Sequence, residues 1–220
     1  GFWLASEGNP EKDLPGAVLH VDAKGAITRE FDLPKELADQ ATRFGFEGVE
    51  LIDGKLWLAV QREWKDDPKD QVKLLQLDPE TGAWAGLRYP IGTGKGWVGL
   101  SDLAVHGDHL YLIERDNLIG DAAALKAVTR VALADLKPAP LGGELPLIGK
   151  ETVRDLIPDM TATGGFVLDK VEGLAITPEG TAYIVTDNDG TDDSTGETMF
   201  FTVPLTSEAG DTQTAMQQGN

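Results

Sequence analysis

The sequence contains no cysteine among its 220 residues. Disulfide bonds, thiolate catalysis and cysteine-ligated metals are therefore excluded. It also lacks any apolar run of the roughly 20 residues that a membrane-spanning helix needs. With 41% hydrophobic residues, the chain can still bury a substantial core. We expect a globular protein without a membrane span.

Basic residues are scarce relative to acidic ones. The chain has 19 Lys and Arg residues against 37 Asp and Glu residues, for a formal net charge of −18. Such a field repels nucleic acids and anionic membranes, so we expect no nucleic-acid partner. Two interpretations of the negative charge remain open: it attracts cations, or it only keeps the protein soluble.

Several well-known catalytic patterns are missing as well. The three histidines, His20, His106 and His109, are scattered along the chain. There is no Gly-x-Ser-x-Gly motif of a serine hydrolase, no Gly-x-Gly-x-x-Gly and no phosphate-binding loop. Nucleophilic serine catalysis and dinucleotide binding therefore have no anchor in this sequence.

What the sequence does contain is an internal repeat. The pattern occurs at Phe46–Glu63 (FEGVELIDGKLWLAVQRE), Leu100–Asn117 (LSDLAVHGDHLYLIERDN) and Val171–Asp189 (VEGLAITPEGTAYIVTDND), and GFWLASEGN at the start resembles its second half. Each copy reads as two alternating strands joined by Asp-Gly, Gly-Asp or Pro-Glu-Gly, which are typical hairpin turns. Further strands follow each hairpin, so the repeating unit is about four strands long.

Four-stranded units at a spacing of roughly 50 to 70 residues are typical of propeller blades. We therefore predict an all-β fold, a β-propeller with three to four blades present, over residues 1–206. A polar tail follows at 207–220. Since so few blades do not close a ring of the usual size, we expect a larger ring, completed by N-terminal blades or by a companion chain.

Acidic residues stand at both ends of the repeated hairpins. In an antiparallel hairpin the residue that opens one strand faces the residue that closes the next. Glu47 is thus predicted to lie near Glu63, and Glu172 near Asp187 and Asp189. Carboxylates at one rim repel each other unless a proton or a cation lies between them, and oxygen ligands without His or Cys favour calcium. The alternative is that these acids only form turns.

Basic and aromatic residues flank the same rim. Arg62 and Arg115 follow the second strand of their hairpins, where they either pair with the rim acids or hold a phosphate group. Trp64 and Trp97 lie in predicted loops and are candidates to line a pocket.

On these residues the chain resembles a known family. The segments GFWLASEGN, VQREW, GLSDLAV, IERDN and LDKVEGLA are similar to the pattern of phytase-like propellers, in particular the group described as esterase-like activity of phytase. In β-propeller phytases, acids of this kind bind calcium at the mouth of the channel, and the calcium ions bind the substrate phosphate. The resemblance implies that Glu47, Glu63, Glu172 and Asp189 are calcium ligands.

The sequence therefore predicts a calcium-dependent phosphoester hydrolase that acts on a phosphorylated small molecule. Glu47 and Glu172 are the predicted catalytic residues, and Arg62, Arg115 and Lys170 the predicted phosphate contacts. Two alternatives stay open: a non-catalytic secreted propeller used for binding or assembly, and a lactonase-like propeller hydrolase. We expect a periplasmic or extracellular location.

Overall fold

The computed structural model of the chain describes residues 1–162, 165–188 and 197–205. Over these residues the protein is built from short strands, with two short α-helices, α1 (Lys35–Ala38) and α2 (Ile157–Ala162). The strands in chain order are β1 Phe2–Ser6, β2 Ala17–Val21, β3 Ile27–Asp32, β4 Phe46–Ile52, β5 Lys55–Val60, β6 Gln71–Leu77, β7 Trp84–Pro90, β8 Val98–His106, β9 His109–Asp116, β10 Lys126–Ala132, β11 Ala139–Pro140, β12 Glu151–Asp155, β13 Val171–Ile176, β14 Thr181–Thr186 and β15 Phe200–Pro204. The predicted all-β fold is confirmed.

The strands form four antiparallel sheets. The first sheet is β1-β2-β3 and the second is β4-β5-β6-β7-β11. The third is β8-β9-β10-β12 and the fourth is β13-β14-β15. Neighbouring strands are mostly consecutive in the chain, and several pairs, such as β4 with β5 and β8 with β9, are joined by tight turns. At the turn between β4 and β5, for example, both Asp53 (φ 48°) and Gly54 (φ 76°) have positive φ, as the predicted Asp-Gly hairpin turn requires.

Hydrophobic cores lie between successive sheets. Side chains such as Phe46 and Leu75 pack against Val18 between the first two sheets. Leu74 and Leu100 belong to the core between the second and third sheets. A third core, which includes Ile113 of β9 and Ile184 of β14, joins the third sheet to the fourth. The four sheets therefore pack face to face in chain order.

The first strands of adjacent sheets also lie next to one another: β4 contacts β1 and β8, and β8 contacts β13. Carboxylates connect them where the backbones do not pair. Asp102 of β8 accepts the N–H of Leu174 in β13 at 2.7 Å, and Glu50 of β4 accepts the N–H of Val105 in β8 at 3.3 Å. One end of each first strand is thereby brought close to the same end of its neighbours.

This arrangement is that of successive blades, yet all four sheets are open over the described residues, and ring closure remains a prediction. Within the same residues, no helix has the length and apolar character needed to cross a membrane. The predicted polar tail at 207–220 lies outside the described residues.

Candidate functional site

A β-bulge interrupts the first strand of three sheets at the equivalent residue. The pairing register shifts at Glu47 in β4, at Ser101 in β8 and at Glu172 in β13. A bulge bends its strand and re-aims a side chain. Here Glu47 and Glu172 both line one pocket, while the hydroxyl of Ser101 accepts a hydrogen bond from Arg115 at the wall of that pocket (3.0 Å).

The ends of the second hairpin strands meet at the same pocket. When the repeats are aligned, Glu7, Gln61, Arg115 and Asp187 occupy the equivalent position in the four sheets. All four line the cavity, which has a volume of about 570 Å³. The remaining lining residues are Gly8, Asn9, Arg43, Phe44, Glu47, Trp97, Lys170 and Glu172. Every sheet thus contributes a polar side chain to one place.

Arg115 is the best-anchored side chain of the pocket. It is 2% exposed, and its two terminal nitrogens donate to Glu172 at 2.7 Å and to Asp169 at 3.1 Å. Its Nε donates to Ser101, and its guanidinium lies 5.1 Å from the centre of the Trp97 ring. A guanidinium has five N–H donors, so these three hydrogen bonds leave two N–H groups for an anionic ligand.

A buried lysine, Lys126, holds one of the residues that contact Arg115. Lys126 is fully buried, and its Nζ donates to the carbonyl oxygens of Asp116 (2.6 Å) and Asp169 (2.8 Å). It also forms an ion pair with the Asp116 carboxylate at 2.9 Å. Burial lowers the pKa of Lys126, and the hydrogen bond and charge of Asp116 oppose that shift. Lys126 therefore fixes the segment that presents Asp169 to Arg115.

Among the acidic residues that line the pocket, Glu47 has the pKa that is shifted furthest from its ordinary value. Burial, together with the negative charges of Glu7 and Glu172, raises its pKa to about 8. Burial also raises the pKa of Glu7, against a hydrogen bond from the backbone of Gly45. The side-chain amide of Gln61 donates to Glu47. The carboxyl groups are thus crowded enough that the pocket holds a proton at neutral pH.

One wall of the pocket is built from alternating aromatic rings and guanidinium groups. Phe44 and Trp97 face each other with ring centroids 5.7 Å apart. The guanidinium of Arg62 lies 4.9 Å from both ring centroids, and that of Arg43 lies 4.4 Å from Phe44. Contacts of this geometry are attractive because a cation sits over the negative face of each ring.

The structure brings together five of the residues predicted from sequence: Glu47, Glu172, Asp187, Arg115 and Lys170 all line the pocket. Lys170 and Asp187 form an ion pair at 3.8 Å. Their catalytic, phosphate-binding and metal-binding roles remain predictions.

Two other predicted residues, Arg62 and Glu63, lie elsewhere, and a third lies outside the described residues. Arg62 lies in the aromatic wall, as described above. Glu63 accepts the backbone N–H of Asp70 at 3.0 Å, and the partner of Glu47 across the hairpin is Gln61 rather than Glu63. Asp189 lies outside the described residues.

The sequence-based set also missed residues that line the pocket. Glu7 could have been found, because GFWLASEGN aligns with the second strand of the other repeats. In that alignment Glu7 occupies the position of Gln61, Arg115 and Asp187. Of the two candidate tryptophans, Trp97 does line the pocket. Trp64 is 3% exposed and donates its ring N–H to the carbonyl of Phe44. Arg43 and Phe44 gave no signal in the repeat.

The donor types in the pocket suit a hard cation. Carboxylate oxygens of Glu7, Glu47, Glu172 and Asp187 line it, and calcium prefers such ligands. In the part of the chain that the structure describes, however, no three His, Asp or Glu side chains form a ready-made metal-binding group. The ligands fit calcium in kind, and holding it would require the acids to move closer together.

Fold and site together define an all-β protein of repeated antiparallel sheets whose strand ends share one charged pocket. The family model described as "Phytase-like: Esterase-like activity of phytase" matches residues 1–190. The chain belongs to this phytase-like family, which indicates hydrolase activity of the phosphoesterase type. A search of curated proteins found no match.

Proposed function

We propose that this chain is a calcium-dependent phosphoester hydrolase that acts on a phosphorylated small molecule in the pocket. The observation that carries the proposal is the position of Arg115, a fixed guanidinium with two unused N–H groups, which is paired with Glu172 in a pocket that Glu47 also lines. Fixed cations beside carboxyl groups are what phosphoryl transfer needs: one set binds the phosphate oxygens and the other exchanges protons with water.

Binding would depend on Arg115, Lys170 and Arg43. Arg115 is held by Glu172 and Asp169, so it keeps its orientation before the ligand arrives and offers its free N–H groups to one phosphate oxygen. Lys170 and Arg43 also line the pocket and add positive charge around the remaining oxygens. Arg62 acts from the aromatic wall, through its charge.

Proton exchange falls to Glu47. Its carboxyl group lines the pocket, and it takes up protons more readily than an ordinary glutamate. Once a bound cation or a higher pH has displaced its own proton, its carboxylate would accept a proton from the water that attacks phosphorus. Glu172, by contrast, is tied to Arg115 at 2.7 Å, so we assign it the role of orienting that guanidinium.

Calcium dependence is supported by the donor set. Glu7, Glu47, Glu172 and Asp187, with Asp189 as the sequence predicts, would hold the ion. When bound, calcium would neutralise the phosphate and lower the pKa of bound water. A ligand present at a hundred times its dissociation constant stabilises the native state by about 2.7 kcal/mol. We therefore expect the melting temperature in millimolar calcium to be higher than the melting temperature in chelator.

The propeller architecture is part of the proposal. Its support is the row of face-to-face sheets with adjacent first strands. Both end sheets carry exposed apolar side chains, Phe2 and Leu4 on β1 and Tyr183 and Phe200 on the fourth sheet. Apolar patches of this kind mark surfaces that contact other protein. Further blades or a companion chain would cover these side chains. The proposal also includes a location in the periplasm or outside the cell.

The proposal is tested by phosphate release from a chromogenic phosphomonoester and from phytate, with calcium and with chelator. We expect release that chelator abolishes. Arg115→Lys keeps the charge but loses the fork of donors, and it should lower kcat/KM at least tenfold. The matched control is Arg130→Lys, in an exposed ion pair with Glu151, which should retain wild-type activity. Lactone hydrolysis without phosphate release would contradict the proposal.

A further inference from the structure

In the aromatic wall of the pocket, Trp97 is held in place by its neighbours. The backbone N–H of Trp97 donates to the side chain of Asn117 at 2.9 Å, and its carbonyl accepts the N–H of Asn117 at 3.1 Å. A Cβ atom at Gly99 would lie 3.1 Å from the Trp97 ring, so the glycine lets the ring pack closely against the strand. A wall fixed in this way loses little freedom when a ligand contacts it.

The wall also stands directly beside the proposed phosphate contacts. The guanidinium of Arg115 lies 5.1 Å from the centre of the Trp97 ring and is itself a lining residue. A phosphate bound to Arg115 therefore has the ring of Trp97 next to it, and Phe44 follows Trp97 along the wall. The group attached through the ester oxygen would meet this wall first.

The wall presents aromatic rings together with the guanidinium groups that lie over them, and such a surface suits a planar group. Phe44 and Trp97 both line the cavity, and Arg43 adds an exposed guanidinium over Phe44. Aromatic rings and guanidinium planes stack on planar ligands, and such contacts add to simple burial. An aliphatic chain would gain the burial alone.

We infer that the pocket selects phosphomonoesters whose leaving group is a planar aromatic ring, which stacks on the wall formed by Phe44 and Trp97. This inference rests on the proposed function for the phosphate contacts. The inference adds the chemical class of the leaving group and two specificity-determining residues, Phe44 and Trp97. Neither residue binds the phosphate group or transfers a proton.

Non-hydrolysable probes test the inference without relying on turnover. Binding of phenylphosphonate and of butylphosphonate to the full chain is measured by titration calorimetry at one fixed calcium concentration. Stacking of aromatic rings is worth about 0.5–1.5 kcal/mol, so we expect phenylphosphonate to bind about 2- to 12-fold more tightly. Trp97→Leu and Phe44→Leu should each reduce this ratio towards one. Tyr183→Leu, at an exposed aromatic residue on the fourth sheet, should leave it unchanged.

The outcomes separate this inference from the proposed function. Equal binding of the two phosphonates, binding of neither, or a preference that survives both leucine variants would overturn it. If the ring preference is found but no phosphate is released from an aryl phosphomonoester, hydrolysis fails and the aryl-binding site stands. If phosphate is released without a ring preference, the proposed hydrolysis stands and the aryl-binding site is refuted.

Discussion

Replacing Glu47 with glutamine should make the protein more stable at high pH. The pKa of Glu47 is raised above its ordinary value in the folded protein, chiefly by burial. The stability linked to this group is therefore fully present below pH 4.5 and is lost as the pH rises towards 8. A rise from 4.5 to about 8 sets a ceiling of about 5 kcal/mol, since one pKa unit corresponds to about 1.4 kcal/mol.

The measured effect should be smaller than this ceiling because Glu47 is only partly buried. We expect Glu47→Gln to exceed wild type by about 2–3 kcal/mol at pH 9 and to approach it at pH 4.5. The amide oxygen of glutamine can still accept the hydrogen bond that Gln61 donates to Glu47. The replacement therefore removes the charge and keeps the contact.

The assay is urea unfolding of both proteins in chelator at pH 4.5, 7 and 9. Glu144→Gln, at an exposed glutamate, is the control and should have the urea midpoint of wild type. Unfolding curves for Glu47→Gln and wild type that differ by the same amount at every pH would refute the assignment of a crowded, proton-binding carboxyl group to this position.

Two further predictions concern the framework of the pocket. Arg115→Met leaves Glu172 without its buried partner and should destabilise the protein by about 3–5 kcal/mol in urea unfolding. The control, Arg130→Met, is at an exposed ion pair and should cost at most about 1 kcal/mol. Similar costs for the two variants would argue against a buried role for Arg115. Asp102→Ala removes the acceptor of the Leu174 N–H and should cost about 1–3 kcal/mol, with faster hydrogen exchange at Leu174; unchanged exchange there would show that the two first strands are not joined in this way.

Much of the fold could be predicted from the repeat. The hairpins follow from Asp-Gly and related turns. The three copies of the repeat also align on one aromatic residue each, Trp57, Tyr111 and Tyr183, and each of these lies on the second strand of its hairpin. Local turn chemistry and period-two alternation are sufficient for this, because both act within a few residues.

The detailed site depends on features that such patterns do not carry. The pairing of β4 with β5 ends at Phe46 and Val60, with a register shift at Glu47, and the side chain of Glu47 meets Gln61 instead of Glu63. The repeat also gives no warning that one copy places a cation, Arg115, where the others have Glu7, Gln61 and Asp187. That arginine forms ion pairs with Glu172 of β13 and with Asp169, which lies just before β13 in the chain.

The most direct test of the central claim is a crystal structure of the chain grown with calcium and inorganic phosphate. Our account predicts a phosphate ion on the free N–H groups of Arg115 and a calcium ion among the carboxylates of Glu7, Glu47, Glu172 and Asp187, which would lie closer together than they do in this structure. Both ions bound elsewhere on the protein, with the pocket unchanged, would contradict it.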